Sequence, residues 1–337
     1  MTLERVVQPL VVCLGNPVAG NPTQFVMTRI ARSAELDWRF FTSEVEEASL
    51  DAAFAGIKAL GMSGASIFSP FAIRARDWVD SITPTAEKLG RVGVAKWESG
   101  GWIGDETTAR ALVRCLIDRI ASLGDQRQPL PEPPSESVAV FGSFEFAAAL
   151  RWELTQVPGD FSVVLCHTEV LGRSRLDETA STNTNRLGSR DSTAEPLQGL
   201  LPLGNSSDQS LAAEVTSRNP IVSCTVETAA SIGKPVRALI VEHPSEMIRL
   251  GPSQRARWLR ELPWVDQPLG VLGMGNFADL LARDRQSLRA ELQSKSIAVI
   301  EDVEWLAYQA AADFQFWTGY EPDLDLIRES LEEYLQW

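Results

Sequence analysis

Residues 125–137, DQRQPLPEPPSES, cut the chain in two. Four prolines lie in this stretch. They remove backbone donors, and few apolar side chains surround them, so the segment reads as a linker rather than an element. Directly after it, VAVFG (138–142) is an apolar strand ending in glycine. Ser143–Thr155 then has helical spacing, and Phe161–Leu165 is a second strand. Strand, glycine turn, helix and strand make a βαβ unit, whose two strands can only be neighbours in a parallel, doubly wound sheet. Residues 138–165 are therefore expected to open a parallel, doubly wound sheet.

The chain before the linker also alternates. Short apolar runs at Val11–Leu14, Leu36–Phe41 and Gly64–Phe68 read as strands, and Thr23–Ala34, Leu50–Leu60 and Ala75–Leu89 as helices. Arg91–Trp97 and Trp102-Ile103 flank Ser99-Gly100-Gly101, which predicts a hairpin. In Asp105–Ser122, Ala109, Leu112, Val113, Leu116, Ile117 and Ile120 share one helical face. Beyond the first βαβ unit, strands are expected at Ala238–Val241, Leu269–Leu272 and Ile297–Ile300. Helices are expected at Ala307–Thr318, closed by Gly319, and at Leu324–Leu335. Residues 171–210 are rich in Ser, Thr, Asn, Asp and Gly and read as a loop-rich insertion. At 337 residues the chain suits two domains.

The net charge is −14, which disfavours nucleic acid and anionic membrane surfaces as partners. Cys13, Cys115, Cys166 and Cys224 form no C-x-x-C pair, and only two histidines occur, His167 and His243. No metal site and no disulfide framework are expected, which suits a reducing, cytoplasmic location. The N-terminus runs straight into a strand, so no signal peptide is expected, and no apolar run approaches membrane-spanning length.

Four segments carry a further pattern: Gly15-Asn16-Pro17-Val18-Ala19 with Asn21 and Thr23; Gly64-Ala65-Ser66-Ile67-Phe68-Ser69-Pro70-Phe71-Ala72; Gly104-Asp105-Glu106-Thr107-Thr108; and Gln309-Ala310-Ala311 with Phe314, Trp317, Thr318 and Gly319. In this order and at these separations the chain resembles the shikimate dehydrogenase family. That resemblance implies an α/β fold of two domains. Residues 1–124, completed by helices in 303–337, would form the substrate-type domain, 125–137 the linker, and 138–302 the Rossmann-type domain. It also implies NADP-dependent interconversion of 3-dehydroshikimate and shikimate, a step of aromatic amino acid biosynthesis.

The family's site residues carry over unevenly. Asn21 and Thr23 stand at the two serines that hold the substrate carboxylate. They are small hydrogen-bonding groups beside a helix N-terminus, where a carboxylate is favoured, and they serve equally as a turn and a helix cap. Ser66 stands at an asparagine. Ala72 stands at the catalytic lysine and Thr108 at the catalytic aspartate. Val94-Ala95-Lys96-Trp97 is matched to the family's A-V-N-T, which puts Lys96 at its asparagine. Lys96 and Glu106 then read either as a relocated acid/base pair or as an ordinary ion pair. Gln309 matches the family's substrate-contacting glutamine.

Cofactor positions fall on Gly142, Ser143, Phe144, Glu145, His167 and Thr168. Only Gly142 survives from the glycine-rich turn. Glu145 would set a negative charge beside the phosphates, and Phe144 with Phe146 would fill the dinucleotide groove. Val241–Met247 echoes the family's N-A-T-P-x-G-M loop through Pro244 and Met247. No cofactor is therefore expected except NADP by resemblance alone. Three functions stay open: a small hydroxy carboxylic acid binder without turnover, an NADP oxidoreductase using Lys96 and Glu106, and an interaction protein with an idle cleft. As to assembly, monomer and homodimer both remain open.

Overall fold

The computed structural model describes residues 8–68, 70–124, 135–167, 222–225, 232–242, 244–272 and 282–335. The 171–210 insertion, Ser69, Thr168 and His243 lie outside the described residues.

The first half alternates as expected. Its elements are β1 (Leu10–Gly15), α1 (Thr23–Ser33), β2 (Arg39–Glu44), α2 (Leu50–Ala59), β3 (Gly64–Ile67), β4 (Ser81–Ile82), α3 (Pro84–Leu89), β5 (Val94–Glu98), β6 (Gly101–Asp105) and α4 (Thr108–Gly124). Its sheet is mixed, in the order β2-β1-β3-β5-β6-β4. Strands β1, β2 and β3 run parallel, while β5 is antiparallel to both β3 and β6.

The single helix expected over Ala75–Leu89 is not formed. A 3-10 turn at Arg74–Asp77, the two-residue strand β4 and the short α3 replace it. Pro84 decides this. A proline disfavours helical geometry in the residue before it, and it is tolerated in the first turn, where no amide donor is needed. Thr83 is extended and caps α3, its Oγ1 accepting the Ala86 amide at 3.3 Å.

The second half contains β7 (Ser135–Phe141), α5 (Phe144–Leu154), β8 (Asp160–His167), β9 (Val222–Thr225), β10 (Val236–Val241), α6 (Pro244–Arg249), α7 (Pro252–Glu261), β11 (Trp264–Leu272), α8 (Ala282–Gln293) and β12 (Ala298–Ile300). Among the described residues its strands are all parallel, in the order β12-β11-β10-β7-β8-β9. The order reverses direction between β7 and β10, and ligands of such sheets bind beyond the strand ends at that switch point. The chain then returns through α9 (Asp302–Thr318) and α10 (Leu324–Leu335).

Buried Phe314 and Trp317 of α9 and Ile327 and Leu331 of α10 pack with Val26 and Ile30 of α1 on the first sheet. Gly64 makes the approach of α9 possible. A Cβ there would stand 2.7 Å from Trp317 Cδ1 and 3.1 Å from the Ala95 carbonyl oxygen. The indole donates to that same carbonyl at 3.0 Å. Gly64→Ala is expected to cost about 1–3 kcal/mol by overpacking, measured by urea unfolding. Unchanged stability would mean that α9 sits farther from β3.

Candidate functional site

The hairpin β5–β6 fixes most of the site. Ser99 and Gly100 take positive φ, 53° and 90°, and form the two-residue turn. Glu98 therefore faces Gly101 and Lys96 faces Ile103. The same register brings Gly93 to Glu106, whose Oε2 would lie 3.4 Å from a Cβ at Gly93. Lys96 and Glu106 are thus three residues apart along the ladder, about 10 Å at strand rise. The relocated acid/base pair does not form. Lys96 Nζ instead pairs with Glu98 at 3.1 Å and lies 5.0 Å over the Phe316 ring.

The partner of Glu106 is Arg91, whose Nε donates to Oε2 at 2.7 Å. The other carboxylate oxygen accepts the Thr108 amide at 3.0 Å and the Thr108 hydroxyl. Gln309, from α9, donates its Nε2 to Thr108 Oγ1 at 3.2 Å. One chain of hydrogen bonds therefore runs from α9 to Arg91 through Thr108 and Glu106. Glu106 is buried, while the Arg91 side chain is 33% exposed. Burial pulls the Arg91 guanidinium down, but Glu106 more than offsets this, and Glu242 of the second sheet adds to the rise.

One turn along α9 from Gln309, Asp313 accepts a hydrogen bond from the Thr107 hydroxyl. Burial pushes the Asp313 carboxyl up to about 8 against that hydrogen bond, and the charges of Glu106 and Asp105 add to the rise. Burial likewise pushes the Cys13 thiol up to about 12, as befits a small core side chain. Ser66 is buried on β3 in register with Cys13 and Val94. Ala72 contributes a carbonyl to the Val92 amide at 2.8 Å. Neither Ala72 nor Thr108 offers a group that titrates near neutrality.

At α1, Asn21 makes a turn, its Oδ1 accepting the Thr23 amide at 2.8 Å, while the helix's N-cap is Pro22 and carries no side-chain cap. Asn21 also lines a groove of about 710 Å³ with Gln24, Thr28, Arg29 and Tyr334, on the side of α1 that meets α10.

The glycine turn is filled, although not by the expected rings. Phe146 is wholly buried in the core beneath the sheet, and Phe144 is 54% exposed. Glu145 is exposed beside it. The occupant is Glu242. It directly follows the last pair of the β7–β10 ladder, Val241 with Phe141. Its Oε2 accepts the Ser143 amide at 2.6 Å and the Ser143 hydroxyl at 2.8 Å. A Cβ on Gly142 would lie 2.4 Å from that oxygen and 2.6 Å from Glu242 Cβ. In a dinucleotide-binding turn this amide, at the start of the helix, meets a pyrophosphate oxygen. These residues do not fit NADP. His167 ends β8.

Arg91, Glu242 and Asp313 escaped the sequence reading. For Arg91 part of the signal was present, because the two-residue turn at Ser99-Gly100 sets Gly93 opposite Glu106, two residues from Arg91.

No family model matches the chain. The shikimate dehydrogenase (NADP(+)) of Methanothermobacter thermautotrophicus is 23% identical to it over 324 residues, 96% of this chain and 95% of that one. Two solved structures share the fold. The shikimate 5-dehydrogenase of Thermus thermophilus, in complex with NADP(H) and shikimate, matches 97% of this chain and 100% of its own with a TM-score of 0.62 and 17% identity. That of Listeria monocytogenes, in complex with shikimate and NAD, matches 98% of this chain and 99% of its own with a TM-score of 0.65 and 14% identity. With its motifs in order, its mixed first sheet and its Rossmann-like second sheet, this chain has the fold of the shikimate dehydrogenases and is similar to them over nearly its whole length.

Proposed function

We propose that this protein binds a small hydroxy carboxylic acid between its two sheets and does not turn it over. One observation supports this: Ala72 and Thr108 stand at the positions of the family's acid/base pair, while Gln309 stands unchanged at its substrate contact. Moving hydride to or from an alcohol carbon requires the hydroxyl proton to move too, and a positioned acid/base group contributes about 10²–10⁴ in rate. Ala72 and Thr108 supply no such group, and Lys96 is tied to Glu98 rather than to Glu106. Glu242 on the Ser143 amide opposes a nucleotide phosphate.

The half made of residues 1–124 and 303–337 carries the ligand contacts. Thr23 at the start of α1 and Gln309 on α9 offer a hydroxyl and an amide group to a polyol, whereas Ser66 on β3 is buried. Asn21 keeps its amide nitrogen for the same purpose. Gln309 spends one donor on Thr108 and, among the described residues, makes no other hydrogen bond. Lys96 falls outside this set.

Millimolar shikimate or quinate is expected to raise the melting temperature by several degrees, since a ligand that binds only the folded state stabilises it by mass action. Gln309→Ala should diminish the rise without unfolding the protein. Shikimate-dependent NADP reduction above background would show instead that the chain is an active dehydrogenase. No shift with any small hydroxy acid would leave an interaction protein.

A further inference from the structure

We infer that Arg91 anchors the ligand's carboxylate, with Glu106 as its positioning residue. The inference rests on the proposed binding function and moves the carboxylate from α1 to the segment that joins α3 to β5. A guanidinium has five N–H donors in a rigid fork. Arg91 spends only its Nε, on Glu106. Among the described residues neither terminal nitrogen has a hydrogen bond, and a third of the side chain is exposed. Those two nitrogens match the two oxygens of a carboxylate.

Glu106 fixes the fork. Its carboxylate is buried and receives the Thr108 amide and hydroxyl on one oxygen and Arg91 on the other. The guanidinium is therefore held in one orientation before any ligand arrives. The other cations nearby are committed: Lys96 to Glu98, and Arg110 to Asp105 at 2.9 Å and Glu153 at 3.7 Å. Asn21, at the family's carboxylate position, spends its side-chain oxygen on the Thr23 amide in the turn before α1.

The surroundings also select the class of anion. Two carboxylates, Glu106 bonded to Arg91 and Glu242 at the end of β10, act on this one guanidinium. A monoanion can be accommodated beside them, whereas a phosphate dianion is repelled. The ligand class is a small monocarboxylate whose hydroxyls point toward Gln309.

The test is calorimetric titration of the full chain with shikimate, its methyl ester and shikimate 3-phosphate. The acid is expected to bind at least tenfold more tightly than the ester, and the phosphate no more tightly than the acid. Arg91→Lys keeps the charge and the pairing with Glu106 but loses the fork, and should weaken the acid at least tenfold while leaving the ester unchanged. Glu106→Gln, which touches no ligand, should reduce the preference for acid over ester, an effect that mere destabilisation would not produce. Equal binding of acid and ester by the wild type, or unchanged acid binding by Arg91→Lys, overturns the anchor and leaves the proposed function standing. If neither shikimate nor quinate binds the wild type, both fall together.

Discussion

Titrated with NADPH and followed by nucleotide fluorescence, the protein is expected to show no saturable binding up to about a millimolar, a binding free energy of only about −4 kcal/mol. Glu242→Ala is expected to make binding measurable. The site that should greet a pyrophosphate already holds a carboxylate, at 2.6 Å from the Ser143 amide and 2.8 Å from its hydroxyl. A phosphate would have to displace an anion tethered to the chain, or sit beside it. Two like charges at 4 Å cost about 1–4 kcal/mol between bulk water and a protein-surface dielectric. That is roughly ten- to thousand-fold in affinity. Removing the carboxylate recovers this term and frees the amide. Glu145 and Phe144 stay in place, so the recovered affinity should remain modest. Low-micromolar binding by the wild type would refute this picture of the turn.

The second large effect concerns pH. Asp313 is buried, with its carboxyl pushed up to about 8, whereas in an unfolded chain it titrates near 4. Between those values the folded protein holds a proton that the unfolded chain has released. Its contribution to stability is full below about pH 4, falls through the window and levels off above about 8. One proton is worth about 1.4 kcal/mol per pH unit, so this group alone amounts to roughly 5 kcal/mol across the window. The groups acting on it are the Thr107 hydroxyl, Glu106, Asp105 and Arg110. Asp313→Asn keeps the shape and still accepts the Thr107 proton, but does not titrate. Urea unfolding from pH 5 to pH 8 should show the variant gaining steadily on the wild type. Parallel curves would mean that Asp313 ionises inside the folded protein without penalty.

Much of the architecture was legible in the residues. The βαβ unit, the closing glycine at 319 and α10, at Leu324–Leu335, all emerged because hydrophobic period and turn chemistry agree there, although β7 starts at Ser135, inside the stretch expected as a linker. The region around Thr83 did not, since the proline that ends one element and starts another was read as helix interior. The site was less legible for a different reason. Matching motifs to a family gave Lys96 a position, but only the pairing across Ser99-Gly100 decides what it faces. Two-residue turns make that pairing arithmetical, and it selects Gly93 opposite Glu106, with Arg91 two residues back. Asp313 and Glu242 had no such local signal. Each acquires its environment from a segment far off in sequence, Thr107 for the one and Ser143 for the other.

Gly142 and Glu242 also bear on how a surviving glycine is to be interpreted. With Glu242 Cβ 2.6 Å from where a Cβ on residue 142 would stand, glycine is compulsory at this turn on steric grounds alone. The closeness of its neighbour is by itself a sufficient reason for a glycine at this turn, with or without a phosphate to approach it. A lone turn glycine after the first strand of such a sheet thus has more than one cause, and an acidic residue directly after β10, as Glu242 is here, supplies the steric one.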